Sequence, residues 1–348
     1  MRKKPTMRDV ARAAGVSVMS VSYALRRHPS IPEATRLRIE RAAGELGYGP
    51  NPLVTAFMRE VRHRKESKVP PSIAYINGSR EGISRQPLSS YQKNYYDGAR
   101  ERCAELGFGF GLVEAVRTGL SGRRLTDVLL YNNYCGLIFD QVPKDAAFSL
   151  DWESFPCVTW GASLKEPHLH RVQVNHYAAM ELALQRLSAL GYRRIGLATF
   201  ESSSARIGHR YLAAYEIYQR QLSPRARIPA LLPASPSEMT PGRFRSWMER
   251  HRPDALVDAG QRRYQQLLAQ TGYRVPHDVA YAVSNRIDTP ADSAELAGLN
   301  QHPFEVGRVA VDILIKQIYG QEKGIPKHRL VTFLDASWQD GPSAPAKN

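Results

Sequence analysis

The stretch "TMRDVARAAGVSVMSVSYALRRHPSIPEATRLRIERAAGELGYGPNP", residues 6–52, decides how the rest of the chain is read. Behind Thr6, Val10, Ala11 and Ala14 recur at helical spacing, and the Thr6 hydroxyl suits an N-cap, which predicts a helix over about 7–14. Gly15 supplies the permissive backbone that ends it. Ser17 then caps a second helix over about 18–25, in which Val21, Ala24 and Leu25 form the inward set. Val18, Met19, Ser22, Tyr23 and Arg26 fall on the opposite side, a face the packing does not use. A third helix opens at "SIPE", where Ser30 and Glu33 are spaced as a capping box and Pro32 suits a first turn. Its stripe is Ile39, Ala42, Ala43 and Leu46, and Gly47 ends it. Two short helices, a glycine turn and a supporting third helix make a helix-turn-helix. The surplus face of the second helix is then the one that enters a DNA major groove by its N-terminal residues.

Charge supports this reading. The chain of 348 residues carries a formal net charge of +15. Residues 1–70 hold 15 Lys/Arg against 6 Asp/Glu, so more than half of the surplus sits in a fifth of the chain. A basic terminal module on a milder body points to a polyanion partner. No stretch approaches the ~18 apolar residues of a membrane span, and the basic N-terminus lacks the apolar run of a signal peptide. Three widely spaced cysteines, Cys103, Cys135 and Cys157, fit reduced cytoplasmic thiols, not a disulfide framework.

The segments "MRDVARAAGVSVMSVSYAL" (7–25) and "TRLRIERAAGELGYGPNP" (35–52) resemble, end to end and without a gap, the DNA-binding headpiece of the lactose-repressor (LacI/GalR) family of bacterial transcription regulators. The resemblance implies an all-α headpiece at 1–50, a hinge helix near 51–58 within a hinge and linker at 51–71, and a core at 72–340. That core would be an α/β, two-lobed, periplasmic-binding-protein-like body that binds an effector and dimerises, followed by a tail at 341–348. The family's groove-reading positions fall on Val18, Met19 and Tyr23. Its other DNA contacts fall on Thr6, Ser17, Ser20, Ser22, Arg26, Thr35 and Asn51. Val and Met offer base edges no hydrogen bonds but can contact thymine methyls, so readout is expected to lean on phosphates and DNA shape.

"GPNPLVTAFM" (49–58) can make little more than a turn of helix, too short to stand alone in water. In the resembled family the same segment of a second subunit pairs with it in the minor groove. The intercalating leucine corresponds to Phe57, with Met58 as the alternative one residue on, and either serves as an apolar wedge. A basic linker, "REVRHRKESKVPPS", follows.

Beyond the linker, strand and helix patterns alternate. Strands are expected at "IAYIN", "GFGFGLVEA", "GLIFD" and "CVTWG", with a helix near 95–106 and the segment "TDVLLYNN" between them. Helices near 177–190, 206–220 and 263–271 alternate with "GYRRIGLATF", "IPALL", "DALVDA", "GYRVPHDVAYAV" and "AGLN". "FEVGRVAVDILIKQIYG" (304–320) reads as a long helix for lobe packing or dimerisation. Such βα alternation, at this length, predicts two doubly wound parallel sheets with the ligand between lobes at the carboxyl ends of strands. That places Asn77, Asp140 and Trp160 on the first lobe. Arg210, Asn285 and Gln301 belong to the second lobe and the crossover, Arg210 also being where the family often keeps a ligand-binding arginine. An aromatic, polar residues and one arginine suit a sugar or small polar metabolite. Many members of the resembled family carry Asn-Asp where this chain has Ala259-Gly260, which puts a common mode of hexose binding in doubt.

Enzymatic motifs do not assemble. "GFGFG" (107–111) forms or precedes a strand and is no phosphate cradle. "HLH" (168–170) reads as a solvated loop, with no third metal ligand, and nothing joins a nucleophile, base and orienter. The expected protein is a non-enzymatic regulator, a repressor by resemblance, without cofactor or metal. It acts as a homodimer on a palindromic double-stranded operator and is switched by a small molecule. The alternatives are a cytoplasmic solute-binding protein and a DNA-tethered enzyme.

Overall fold

The computed structural model describes residues 5–25, 30–48, 70–78, 88–140, 149–260, 262–287 and 295–347. The chain divides into two compact units, Met1–Ser67 and Lys68–Asn348. Arg26, Asn51, Phe57, Met58 and the hinge helix expected near 51–58 lie outside the described residues.

The first unit holds α1 (Met7–Ala14), α2 (Val18–Ala24) and α3 (Glu33–Leu46). Thr6 caps α1 in a reciprocal box with Asp9, accepting from the Asp9 N–H while the Asp9 carboxylate accepts from Thr6. Such a cap is worth about 1 kcal/mol. Gly15, at φ 61°, closes α1, and Ser17 caps α2 by accepting from the Ser20 N–H at 3.0 Å. Val10, Ala11, Ala14, Val21, Ala24, Ile39, Ala42 and Ala43 form one buried cluster. Two expectations need correction at α3. Its N-cap is Pro32 with no side-chain cap bond, so Ser30 and Glu33 form no capping box. Leu46 is 40% exposed and stands outside the stripe, the buried cluster taking only Ile39, Ala42 and Ala43 from this helix.

The second unit has two lobes. Lobe one begins with β1 (Ser72–Ile76), α4 (Ser90–Glu105), β2 (Gly109–Val113), α5 (Ala115–Thr118), α6 (Gly122–Tyr131), β3 (Tyr134–Phe139), β4 (Cys157–Trp160) and β5 (His170–Val174). Lobe two follows with α7 (His176–Ala189), β6 (Ile195–Ala198), α8 (Glu201–Arg206), α9 (Arg210–Gln221), α10 (Pro241–His251), β7 (Ala255–Asp258), α11 (Arg263–Gln270), β8 (Ala280–Arg286) and β9 (Ala297–Asn300). The chain then returns through α12 (Pro303–Gly320) and β10 (Val331–Leu334) to lobe one, and ends in lobe two with β11 (Ser337–Gln339). The sheets run β10-β5-β4-β3-β1-β2 and β11-β9-β8-β7-β6. Among the described residues the strands of both sheets pair in parallel except β11 on β9, so the doubly wound expectation holds with one antiparallel edge. Ligand positions in such sheets lie where strands end.

Helix α12 packs lobe one, burying Val306, Ala310, Val311 and Leu314 against α4. Glycines set the approach: a Cβ at Gly98 would lie 2.0 Å from the Phe304 carbonyl oxygen, and one at Gly307 2.2 Å from that of Tyr95.

Several local readings change. "TDVLLYNN" completes α6. The helix expected near 206–220 is α9 and starts only at Arg210, because Gly208 and His209, both at positive φ, separate it from α8. "IPALL" makes only a bridge, Leu231 to Ala198. "HLH" is not a solvated loop: His168 is exposed, but His170 starts β5 at 8% exposure and accepts the Leu330 N–H at Nδ1, 2.9 Å. The segment expected as a tail packs into lobe two, where Ser343 donates to the Tyr281 carbonyl and accepts the Ala297 N–H, leaving Ala344 3% exposed. No described helix is long and apolar enough to cross a membrane.

Candidate functional site

On the headpiece unit, the α2 face that packing leaves over carries Val18 at 42% and Met19 at 65% exposure. Ser20, Ser22, Tyr23 and Thr35 are half-buried beside it. The hydroxyls of Thr6, Ser17 and Ser20 are helix-start groups. Thr6 donates to Asp9 at 2.6 Å, and the two serine hydroxyls lie 2.9 Å apart. Caps thus fix the backbone where the exposed apolar residues begin.

In the second unit, Asn77, Asp140 and Trp160 stand at the ends of β1, β3 and β4, and all three are buried. Asp140 accepts from the Tyr75 hydroxyl at 2.5 Å, from Gln92 Nε2 at 2.9 Å and from Trp160 Nε1 at 2.9 Å. Its carboxylate therefore orients the indole. Trp160 lies between Tyr95, stacked at 5.1 Å, and Tyr75, tilted at 5.1 Å. The expected aromatic platform is thus already covered by tyrosines.

Gln301 ties the lobes together. Its Oε1 accepts from the Tyr91 hydroxyl of lobe one, and its Nε2 donates to the Tyr211 hydroxyl at 2.9 Å and to the Ser284 carbonyl of lobe two. Burial pushes the Tyr91, Tyr95 and Tyr211 hydroxyls above the ordinary tyrosine range, so all three stay neutral donors. Asn285 lies in β8 with a buried Oδ1 that has no hydrogen-bond partner. Arg210 opens α9, donating from Nη1 to the Ile207 carbonyl at 2.9 Å, with its guanidinium 5.7 Å from the Phe333 ring centre of β10.

Gly260 is obligatory. A Cβ there would meet the Tyr264 ring at 2.6 Å and the Phe200 ring at 2.9 Å. The carboxylate of this strand end is Asp258, fully buried and turned into lobe two. It accepts from Gly260 N, Tyr264 N and the Tyr281 hydroxyl at 2.6, 3.0 and 2.7 Å. Burial pushes its pKa up to about 6 against these bonds.

Sequence reasoning missed Tyr91, Gln92, Tyr95, Tyr211 and His176. One signal was available: "SSYQ" is a capping box, with Ser89 and Gln92 bonding reciprocally, and it sets Tyr91 and Tyr95 one turn apart at the start of α4. His176 opens α7 against the Tyr211 ring at 5.0 Å, and burial followed by the charges of Arg210 and Arg206 lowers its pKa to about 4. No group of three metal-ligating side chains occurs among the described residues.

Comparison with known proteins gives two family matches: residues 6–51 with the bacterial regulatory proteins of the lacI family, and residues 184–335 with the periplasmic binding protein-like domain. The chain is 23% identical to the HTH-type transcriptional repressor CytR of Escherichia coli K12, over 92% of this chain and 91% of that protein. It is also 23% identical to the ribose operon repressor of the same strain, over 90% and 93%. Among solved structures, a complex of the transcriptional regulator CelR with cellobiose superposes with a TM-score of 0.57, at 20% identity over 97% of this chain and 99% of that one. The lac repressor dimer bound to operator and the anti-inducer ONPF gives 0.56, at 20% identity over 99% and 100%.

Proposed function

From a lacI-family match over residues 6–51 and a periplasmic binding protein-like match over residues 184–335, we propose that the chain is a LacI-family transcription repressor that binds a palindromic operator as a homodimer and is switched by a small molecule held between its lobes. The observation that carries the reading is the capped helix α2, whose exposed Val18 and Met19 serve no core, on a chain whose other unit is a two-lobed binding body. The solved neighbours supply the precedent: a lac repressor dimer on operator and a CelR complex with cellobiose.

Two-fold symmetry calls for related half-sites. Met19 and Val18 contact thymine methyls, Tyr23 supplies a hydroxyl, and Thr6, Ser17, Ser20, Ser22, Arg26, Thr35 and Asn51 face the sugar-phosphate backbone. Phe57 wedges the central step. Residues 1–50 form the headpiece, 51–71 connect it, and the remainder senses the ligand. A ligand that binds one lobe arrangement better than the other shifts the population, and the connecting segments carry that shift to DNA. The protein acts in the cytoplasm and catalyses no reaction.

The test is selection from randomised duplexes near physiological salt, comparing the full chain with one beginning at Ser72. The full chain should enrich a palindrome and the shorter chain none. Salt-sensitive retention of every duplex alike would leave a non-specific basic module and overturn the reading.

A further inference from the structure

The charges at the lobe junction are unbalanced. Arg206 ends α8 and Arg210 begins α9, and the positive-φ pair Gly208 and His209 folds the chain sharply between them. The turn meets lobe one: Lys165 Nζ of the loop before β5 donates to the Arg206 backbone carbonyl at 3.4 Å, the Arg206 charge acts on the Tyr91 and Tyr95 hydroxyls, and Arg210 lies over Phe333. Arg171 on β5 is only 6% exposed, donates to the Leu164 carbonyl and leaves Nε without a partner. Burial, and then the charges of Arg329 and Arg210, push its guanidinium below the usual arginine pKa. Among the described residues no carboxylate pairs with Arg171, Arg206 or Arg210.

The buried acids of the two strand ends are already bonded elsewhere. Asp140 takes three donors and Asp258 takes three more. Asp335 accepts from Asn175 Nδ2 at 2.9 Å, and Glu201 lies 3.7 Å from His209. Gly260 has no room for the carboxylate that would hold sugar hydroxyls. Half-buried cations without counter-charge at a junction between two lobes cost free energy when the junction is empty. An incoming anion relieves that cost, and guanidinium forks match oxyanions in geometry as well as charge.

We propose that the effector is a small metabolite bearing an oxyanion, either carboxylate or phosphate ester, docked on Arg206 and Arg210. The inference rests on the regulator reading only in taking the lobe junction as the effector site. Neutral parts of the ligand face Tyr91, Asn285 and Gln301. The oxyanion sits at the α8–α9 turn of lobe two, where Lys165 and Phe333 of lobe one come against it. Because those partners come from both lobes, the anion itself draws the lobes into one arrangement.

The experiment is calorimetric titration of the full chain with matched probes: glucose, gluconate and glucose 6-phosphate, then ribose and ribose 5-phosphate. At least one oxyanion-bearing probe should bind about tenfold or more tightly than its neutral match, the scale of a charge-assisted hydrogen bond. Gluconate against glucose 6-phosphate separates carboxylate from phosphate. Arg206→Gln and Arg210→Gln should each weaken that probe by about tenfold or more, with Lys at either position retaining part of the preference. Among the described residues the Arg206 side chain makes no hydrogen bond that Arg206→Gln would remove, and unligated melting checks that each variant folds. Equal or tighter binding of the neutral member, an affinity blind to both Gln variants, or no binding by any oxyanion probe would each overturn the proposal. Operator selection on the same protein separates the two claims. Enrichment with a neutral preference sinks only the anion, and arginine-dependent anion binding without enrichment sinks only the regulator.

Discussion

The headpiece and the lobe junction use their cores in opposite ways. In the headpiece, Val10, Val21 and Ile39 complete a core, and the outer face of α2 is what remains, with Met19 65% exposed and outside the buried cluster. In the second unit the candidate residues Asn77, Asp140, Trp160 and Gln301 are themselves core, while Arg210 and Asn285 are half-buried. Asp140 is 1% exposed, Trp160 2% and Gln301 5%, and each is bonded to partners far along the chain. Function on a surplus face can change at little thermodynamic cost, whereas function within a saturated buried network is tied to stability. Substitutions at the two places should therefore fall into separate classes: large stability effects at the junction, and specificity effects with none in the headpiece.

The most severe test is to write the resembled family's carboxylate back into the strand end. Gly260→Asp must move Tyr264, whose hydroxyl donates to the Thr199 carbonyl at 2.9 Å and whose ring stacks on Phe200. It also places a second acid beside buried Asp258. Overpacking together with charge burial should cost about 3 kcal/mol or more in chemical denaturation. A variant as stable as the parent that also binds glucose would erase the contrast between the two regions.

Close behind comes Asp258. Burial raises its folded pKa to about 6, so the folded protein holds a proton there that the unfolded chain, titrating near 3.9, gives up earlier. Between about pH 4 and 6 the folded state binds more protons, and stability must fall as pH rises through that window, by roughly 3 kcal/mol in all. Other acids, such as Glu105 with its pKa lowered to about 2 by hydrogen bonds from Arg308 and Arg102, work in the reverse sense. The measurement is accordingly the difference in unfolding free energy between the parent and Asp258→Asn across this range. A difference that stays flat with pH would show that Asp258 is ionised without penalty.

Smaller again is Tyr91→Phe, which strips one bond from Gln301 and leaves its buried Oε1 without the Tyr91 donor. Denaturation should record a loss of about 1–2 kcal/mol. Because the bond joins the lobes, the affinity of whichever probe the junction takes should change with it. An unaltered affinity would mean that the Tyr91–Gln301 contact plays no part in how the lobes meet.

The same contrast explains what could be read beforehand. Headpiece helices announce themselves through neighbours in sequence: Thr6 with Asp9, Gly15 at a left-handed turn, apolar residues three and four apart. The capping box at α3 failed because Ser30 and Glu33 satisfy the spacing while Pro32 takes the cap position. In the second unit the strands were legible where Val, Ile and Leu run together, as in β6 and β7. Strand β5, "HRVQV", was not, since its buried His170, Arg171 and Gln173 mimic a solvated loop. Strand-end positions could be inferred from topology, but their partners could not. Tyr75 and Asp140 are 65 residues apart, and Tyr91 and Gln301 are 210. No local pattern says that a carboxylate is already taken, or that Gly260 faces two rings.

The smallest expected stability effect belongs to Met19→Ala, and it tests the headpiece side of the contrast. At 65% exposure on a helix started by Ser17 and held by Val21 and Ala24, Met19 should change folding free energy by less than about 0.5 kcal/mol. What it should change is the selected duplex. An apolar side chain in the major groove discriminates through the thymine methyl, a contact Ala makes with less reach, so preference should relax at one or two positions per half-site. Affinity that rests on phosphates should survive, and the slope of log K against log salt should stay as it was, since no charge is lost. An unchanged motif would move base reading to Tyr23 or to DNA shape. A motif that relaxes together with a drop in stability would show that the exposed face of α2 is not surplus, and that the headpiece obeys the same economy as the lobe junction.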